Sequence, residues 1–175
     1  IDAANKLVPG KQATQLIVTH HHFDHVGGNE DLLAALPAGS VEVFGYEGDR
    51  DRIPGLTRGL ADGEEFALGG LRCRAIFIPA HTKGHLAYYF AGEGVVFTGD
   101  TLFGGGCGRL FEGDAAQMMA SLGRLAALPL RLGVLLVKDS LRGVTFLAFG
   151  RGAECFRPRW TRGSFDPLFE GVRGE

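Results

Sequence analysis

Cysteine is scarce, with Cys73, Cys107 and Cys155 the only three in 175 residues. An odd, widely spaced set argues against a disulfide framework and suits a reducing compartment. No charge of one sign dominates: the formal net charge is −2. Nothing global therefore points to nucleic acid or an anionic membrane as partner. No apolar run approaches the roughly 20 residues that span a bilayer. The opening residues lack the pattern of a secretory signal, so the expected location is the cytoplasm. No methionine opens the chain, and a fragment or a processed product is expected. Histidine is sparse too, six in all with none after His85. What the chain has in quantity is glycine, 28 residues without periodicity. That composition predicts many tight loops, and loops are where sites are built.

The chain shows no internal repeat and no linker. We read one domain over residues 1–150, followed by a short tail over 151–175 that carries Arg151, Arg157, Arg159 and Arg162. The β-branched run Gln15 to Thr19 predicts a buried strand, and Val41 to Phe44 another. Between them Asn29 is placed to cap a short helix that Pro37 stops. Residues 45–63 read as loops with at most one helical turn. Leu71, Cys73, Ala75 and Phe77 alternate along a strand that enters the core. Leu86 to Phe90 and Val95 to Thr98 predict two more strands joined by a glycine turn. Asp114 with Gln117 forms a capping-box pattern. The helix behind it would present Met118, Leu122, Leu125 and Ala126 as one stripe. Gly133 to Val137 is strand-like, and Val144 to Phe149 reads as strand or helix.

The chemistry is concentrated in Thr19-His20-His21-His22-Phe23-Asp24-His25. Imidazole and carboxylate are the ligand types of zinc, iron and manganese. A loop leaving a strand can turn alternate side chains, His20 and His22, toward one ion. Asp24 and His25 can then face a second. Two later strands also end in candidate ligands. The strand closing at Ile78 is followed by His81 and His85 around a glycine turn, and the strand closing at Thr98 is followed by Gly99 and Asp100. These two later signals are each weak alone, but three strand ends that each offer His or Asp form one pattern.

That pattern resembles the metallo-β-lactamase superfamily: His20-x-His22-x-Asp24-His25, then His81-Thr82-x-Gly84-His85, then Thr98-Gly99-Asp100-Thr101. The run Gly106-Cys107-Gly108-Arg109-Leu110-Phe111-Glu112-Gly113 is most similar to glyoxalase II, the hydroxyacylglutathione hydrolases. The resemblance implies an α/β fold, the metallo-β-lactamase-like αββα sandwich, here incomplete at the N-terminus. It implies that His20, His22 and His81 hold a first metal, that Asp24 and His25 hold a second, and that Asp100 bridges both. His85 would orient the site without ligating. Arg109 and Phe111 would meet the glutathione part of the substrate. Phe111 stands where many members have tyrosine, so one hydrogen bond is missing. The implied activity is hydrolysis of a glutathione thioester of the S-D-lactoylglutathione type, as in methylglyoxal detoxification. The implied cofactor is Zn2+ at two sites, with iron or manganese as alternatives. The partner would be that small molecule and the chain a monomer. Cys107, in a glycine loop, is read as structural.

The resemblance ends near residue 130. The family's last histidine ligand falls at Val137 or a neighbour, and valine cannot bind a metal. The second metal site is therefore expected to be weakened. Two alternatives follow from the same residues. One is a mononuclear iron enzyme like the persulfide dioxygenases, which needs fewer ligands. The other is a catalytically impaired relative that serves as a binding module. Hydrolysis of β-lactams is a weaker option.

Overall fold

The computed structural model describes residues 13–103 and 106–129, together with the backbone of two further short strands. Among the described residues nine strands form two sheets. The first sheet contains β1 (Ala13–Ile17), β2 (Glu42–Tyr46), β3 (Arg58–Leu60) and β9 (Phe146–Phe149), in the order β3-β2-β1-β9. β1 runs parallel to β2 and antiparallel to β9, which occupies its other flank. The second sheet contains β4 (Glu65–Leu68), β5 (Leu71–Phe77), β6 (Leu86–Phe90), β7 (Val95–Phe97) and β8 (Gly133–Leu135) in sequence order. It is antiparallel except for the β7–β8 pair. Three helices accompany the sheets: α1 (Phe23–Val26), α2 (Asn29–Ala34) and α3 (Ala115–Ala126).

Side-chain alternation stacks these elements into four layers. Ile17, Phe44 and Leu60 of the first sheet meet Phe66, Cys73, Ala75, Leu86, Tyr88 and Phe90 of the second, filling the space between the sheets. The opposite face of the first sheet packs Leu16, Val18 and Val43 against Leu32 and Leu33 of α2. The opposite face of the second sheet packs Ile76, Ala87, Tyr89 and Val96 against Leu125 and Leu128, at the end of α3. The result is an αββα sandwich. β6 is buried at all five residues because both its faces are covered. Two hydrogen bonds join the sheets near the site: the Tyr88 hydroxyl donates to the Val18 carbonyl at 2.7 Å, and the Leu86 amide donates to the Thr19 carbonyl at 2.9 Å.

The structure departs from the sequence reading in several places. Asn29 does not cap α2; Gly28 does, and the Asn29 side chain is buried with its amide donating to the Pro54 carbonyl. Residues 45–63 contain the one helical turn that was allowed for, a 3-10 turn over Glu47–Asp49, but also strand: β2 runs on to Tyr46, and β3 pairs with β2. β4 was not anticipated. The capping box of Asp114 and Gln117 is present in both directions, but Ala126 is exposed and the buried stripe of α3 is Met118, Ser121 and Leu125. Ser121 is accommodated because its hydroxyl donates to the Pro79 carbonyl at 2.6 Å. Of the two readings for Val144 to Phe149, the strand is correct over the described part, Phe146–Phe149. Cys107 is exposed, so packing does not explain it, whereas Cys73 is buried. Among the described residues no helix is long and apolar enough to cross a membrane. The tail over 151–175 and Val137 lie outside the described residues.

Candidate metal centre

The histidine loop begins where β1 ends, with His22 in extended backbone as the N-cap of α1. His20 is fully buried, and Asp24 and His25 ride on α1. His81 follows β5 after Pro79 and Ala80. Ala80 has φ 141°, the only non-glycine residue in the left-handed half of the map among the described residues. Such backbone costs energy for a residue with a Cβ and clusters at functional sites. Asp100 lies in a 3-10 turn over Gly99–Thr101 that follows β7. Gly99 is required there twice over. Its φ is +49°, and a Cβ would stand 2.7 Å from the His85 ring and 2.8 Å from the Thr19 hydroxyl.

The side chains converge. His22 Nδ1 lies 3.1 Å from His20 Nε2 and 3.0 Å from His81 Nε2. His25 Nε2 lies 3.2 Å from Asp100 Oδ1, and His81 Nε2 lies 3.6 Å from Asp100 Oδ2. Two groups of possible metal ligands result, His20-His22-His81 and His20-His25-Asp100, each with its atoms within 4.8 Å of one another. Asp100 faces both His25 and His81, which places it between the groups. Asp24 belongs to neither. Its side chain is 56% exposed, 3.8 Å from His25 Nε2 at the rim of the cluster.

The donor chemistry suits a cation. His81 Nδ1 is 2.7 Å from the Arg109 carbonyl, which can only accept, so this nitrogen carries the proton and Nε2 turns a lone pair into the cluster. His20 Nδ1 contacts the Thr19 hydroxyl at 3.2 Å; with the ring proton on that nitrogen, Nε2 is bare as well. One proton on His22 Nδ1 cannot satisfy both lone pairs at once. A divalent ion satisfies all three nitrogens. Bonds of about 2.0–2.1 Å in a tetrahedral shell separate ligand nitrogens by roughly 3.3 Å, close to the spacing found here. Burial pushes the pKa values of His20, His22 and His81 below the usual imidazole range; for His20 the neighbouring His85 and His25 add to the effect, and for His22 the neighbouring His81 does. These imidazoles are therefore neutral near pH 7, the form that ligates. The residues present fit a divalent metal.

The surroundings fix this arrangement. His85 is buried and stacks on His20 at 4.6 Å. Its Nε2 accepts the Asp100 amide at 3.2 Å, and burial pushes its pKa down to about 3. The Phe111 ring stands edge-on to His22 and His81 at 5.1 and 5.4 Å. The Arg109 guanidinium lies over that ring at 5.7 Å. Both side chains are exposed at the mouth of the cluster. The sequence reading gave no role to Thr19, to the Arg109 carbonyl, or to His21. His21 turns away from the cluster toward Asp49, Arg52 and Glu112. Thr19 stands next to His20 in the sequence and could have been noticed, but Asp49 and Arg52 carry no signal of their own.

Comparison with known proteins agrees with this architecture. The family model described as "Metallo-beta-lactamase superfamily" matches residues 2–134. A protein of Gloeobacter violaceus named hydroxyacylglutathione hydrolase is 57% identical over 120 residues, which cover 69% of this chain and 47% of that one. One of the same name from Rhodospirillum rubrum is 49% identical, covering 69% and 46%. The chain thus spans about half the length of these relatives. Among solved structures, TTHA1623 in a di-iron-bound form superposes with a TM-score of 0.63 at 28% identity, covering 83% of this chain and 77% of that one. The matched span takes in all three strand ends that carry candidate ligands and well over half of the residues, and the chain belongs to the metallo-β-lactamase superfamily.

Proposed function

We propose that this chain carries the metal centre of a hydroxyacylglutathione hydrolase, which splits a glutathione thioester of the S-D-lactoylglutathione type into glutathione and a 2-hydroxy acid. The observation that carries the reading is the meeting of two candidate ligand groups at His20, with the Phe111 ring, under Arg109, edge-on to His22 and His81 of the first group. The names of the relatives support it over the persulfide dioxygenase alternative.

In this reading His20, His22 and His81 would hold one zinc ion, and His25, Asp100 and Asp24 would hold a second. Divalent ions held this way supply Lewis acidity, which lowers the pKa of water and polarises a carbonyl. The protein's part is to bind and orient. His85 holds the Asp100 backbone through its amide and so sets the carboxylate. The Arg109 carbonyl fixes the His81 tautomer. The exposed Arg109 guanidinium offers a cation to the carboxylates of glutathione. Phe111 gives the substrate an apolar wall and shields His22 and His81 from water. The nucleophile is water, and the thiolate leaves with little acid assistance.

The test is zinc per chain by elemental analysis, together with initial rates on S-D-lactoylglutathione, for the wild type and His22→Ala. We expect at least one zinc per wild-type chain and loss of stoichiometric zinc in the variant. A variant that keeps full zinc would place the site elsewhere. A fully zinc-loaded wild type without thioester turnover would refute the activity.

A further inference from the structure

The histidine loop, the loop after β5 and the glycine-rich segment before α3 are far apart in sequence, yet one carboxylate touches all three. Glu112 Oε2 accepts the Lys83 amide at 2.7 Å, two residues after His81. Arg52 reaches the same carboxylate, with one guanidinium nitrogen 3.3 Å from Oε2 and the other against Oε1. Glu112 Oε1 lies 3.8 Å from His21 Nε2. Arg52 also contacts His21 Nε2, and it bonds Asp49 Oδ1 at 3.4 Å. His21 Nδ1 meets Asp49 Oδ2 at 3.3 Å, closing the circuit. The packing is tight, since a Cβ on Gly84 would stand 2.0 Å from Asp49 Oδ2.

We propose that Glu112 is a positioning residue for the metal centre, clamping segment 109–113 onto the His21 side of the histidine loop and onto the Lys83 amide so that His81, His22 and Phe111 keep their mutual placement. The inference rests on the metal reading given above. Segment 109–113 grips His81 in two ways: its Arg109 carbonyl accepts from His81 Nδ1 at 2.7 Å, and its Phe111 amide donates to the His81 carbonyl at 3.3 Å. Glu112 touches none of the candidate ligand atoms, so it acts only through that segment and through His21. His21 alternates with His20 and His22 along the chain. Holding it outward with Asp49, Arg52 and Glu112 therefore holds its two neighbours inward. A lone exposed ion pair would contribute little. This one is partly buried and joined to a backbone amide, and losing a partner that orients metal ligands typically weakens metal binding by about 10–100-fold.

The experiment uses the full chain and three variants, Glu112→Ala, Glu112→Gln and Arg52→Ala. Zinc affinity is measured by competition with a chromophoric chelator, well below each melting temperature, and the visible spectrum of the cobalt-substituted protein is recorded. Glu112→Ala should weaken zinc binding by about 10–100-fold and shift the cobalt bands. Glu112→Gln keeps an acceptor for Lys83 and should stay within about threefold of the wild type; Arg52→Ala should fall between them. A merely stabilising role would lower the melting temperature while leaving affinity and spectrum of the folded protein unchanged, and that result overturns the proposal. If Glu112→Ala does not fold, the other two decide: a weakened affinity and an altered cobalt spectrum in Arg52→Ala, larger than in Glu112→Gln, support the clamp, and wild-type values in both overturn it. Metal readouts keep the two readings apart. A wild type that binds zinc without hydrolysing thioesters refutes the activity and leaves the clamp standing.

Discussion

Gly108→Ala should damage the metal centre through two neighbours at once. A Cβ at this position would stand 1.9 Å from the Asp100 carbonyl oxygen, 3.0 Å from its carbon and 2.9 Å from His81 Nδ1. The first of these is backbone and cannot swing aside. Reaching ordinary contact near 3.4 Å requires a displacement of about 1.5 Å, from Asp100, from segment 106–109 or shared between them. Either movement has a consequence. Moving Asp100 alters its 3.2 Å approach to His25, and moving the segment loosens the 2.7 Å bond from His81 Nδ1 to the Arg109 carbonyl. Overpacking of this kind costs about 1–3 kcal/mol. In a chain of this size that corresponds to a fall in melting temperature of roughly 2–12 °C. Zinc affinity should fall by about 10–100-fold, the range for losing an interaction that orients a ligand. A nearby control exists. A Cβ on Gly106 would meet nothing within 4 Å, so Gly106→Ala should retain wild-type stability and affinity. The assay is thermal melting with and without zinc, plus chelator competition, on both variants. If Gly108→Ala matches Gly106→Ala in both measurements, the steric reasoning fails.

Two further outcomes follow from the packing and the charges. Tyr88→Phe removes the hydroxyl that donates to the Val18 carbonyl between the sheets. It should lower unfolding free energy by about 1 kcal/mol, visible as a lower midpoint in urea at unchanged slope, and an unchanged midpoint would show that the bond contributes nothing net. The Arg52 guanidinium, helped by the Lys83 amide, holds the Glu112 carboxyl down at about 2, below its ordinary 4.5. A depressed acid stabilises the fold fully above its unfolded pKa and loses that contribution as pH falls from about 4.5 toward 2. Melting temperature should therefore decline across that interval, and Glu112→Gln should show a shallower decline. Parallel curves for the two proteins would contradict the assignment.

Much of the candidate site was legible because its candidate ligands sit where strands end. Three apolar runs point to His20, His81 and Asp100, and the structure brings these residues together. The capping box at Asp114 was legible for a similar reason: it is a local exchange of two hydrogen bonds written in four residues. What escaped was short or non-local. β3 has three residues and buries only Leu60 fully, so no period could emerge. β4 does alternate, with Phe66 and Leu68 inward, but over four residues that is indistinguishable from chance. Ser121 was passed over because polarity hid its place in the buried stripe; only the Pro79 carbonyl explains why it can be there. Asn29 looked like a cap because caps are where asparagine is common, and a partner 25 residues away redirected it. The circuit of His21, Asp49, Arg52 and Glu112 spans 91 positions, and no local pattern could have joined its members.

The placement of His22 and His81 has a consequence for how the chain unfolds. They are separated by 59 positions and belong to loops from different sheets. An ion shared between them would act as a reversible cross-link that closes a long stretch of chain, and the entropy it removed would belong to the unfolded ensemble. The same ion would be released whenever the sheets part at this end, where Tyr88 and Leu86 reach across to Val18 and Thr19. Escape of a bound metal and separation of the layers would then be one event. Amides along β1 and β6 should exchange with solvent at a rate set by metal concentration, so that the centre doubles as the fastening of the sandwich.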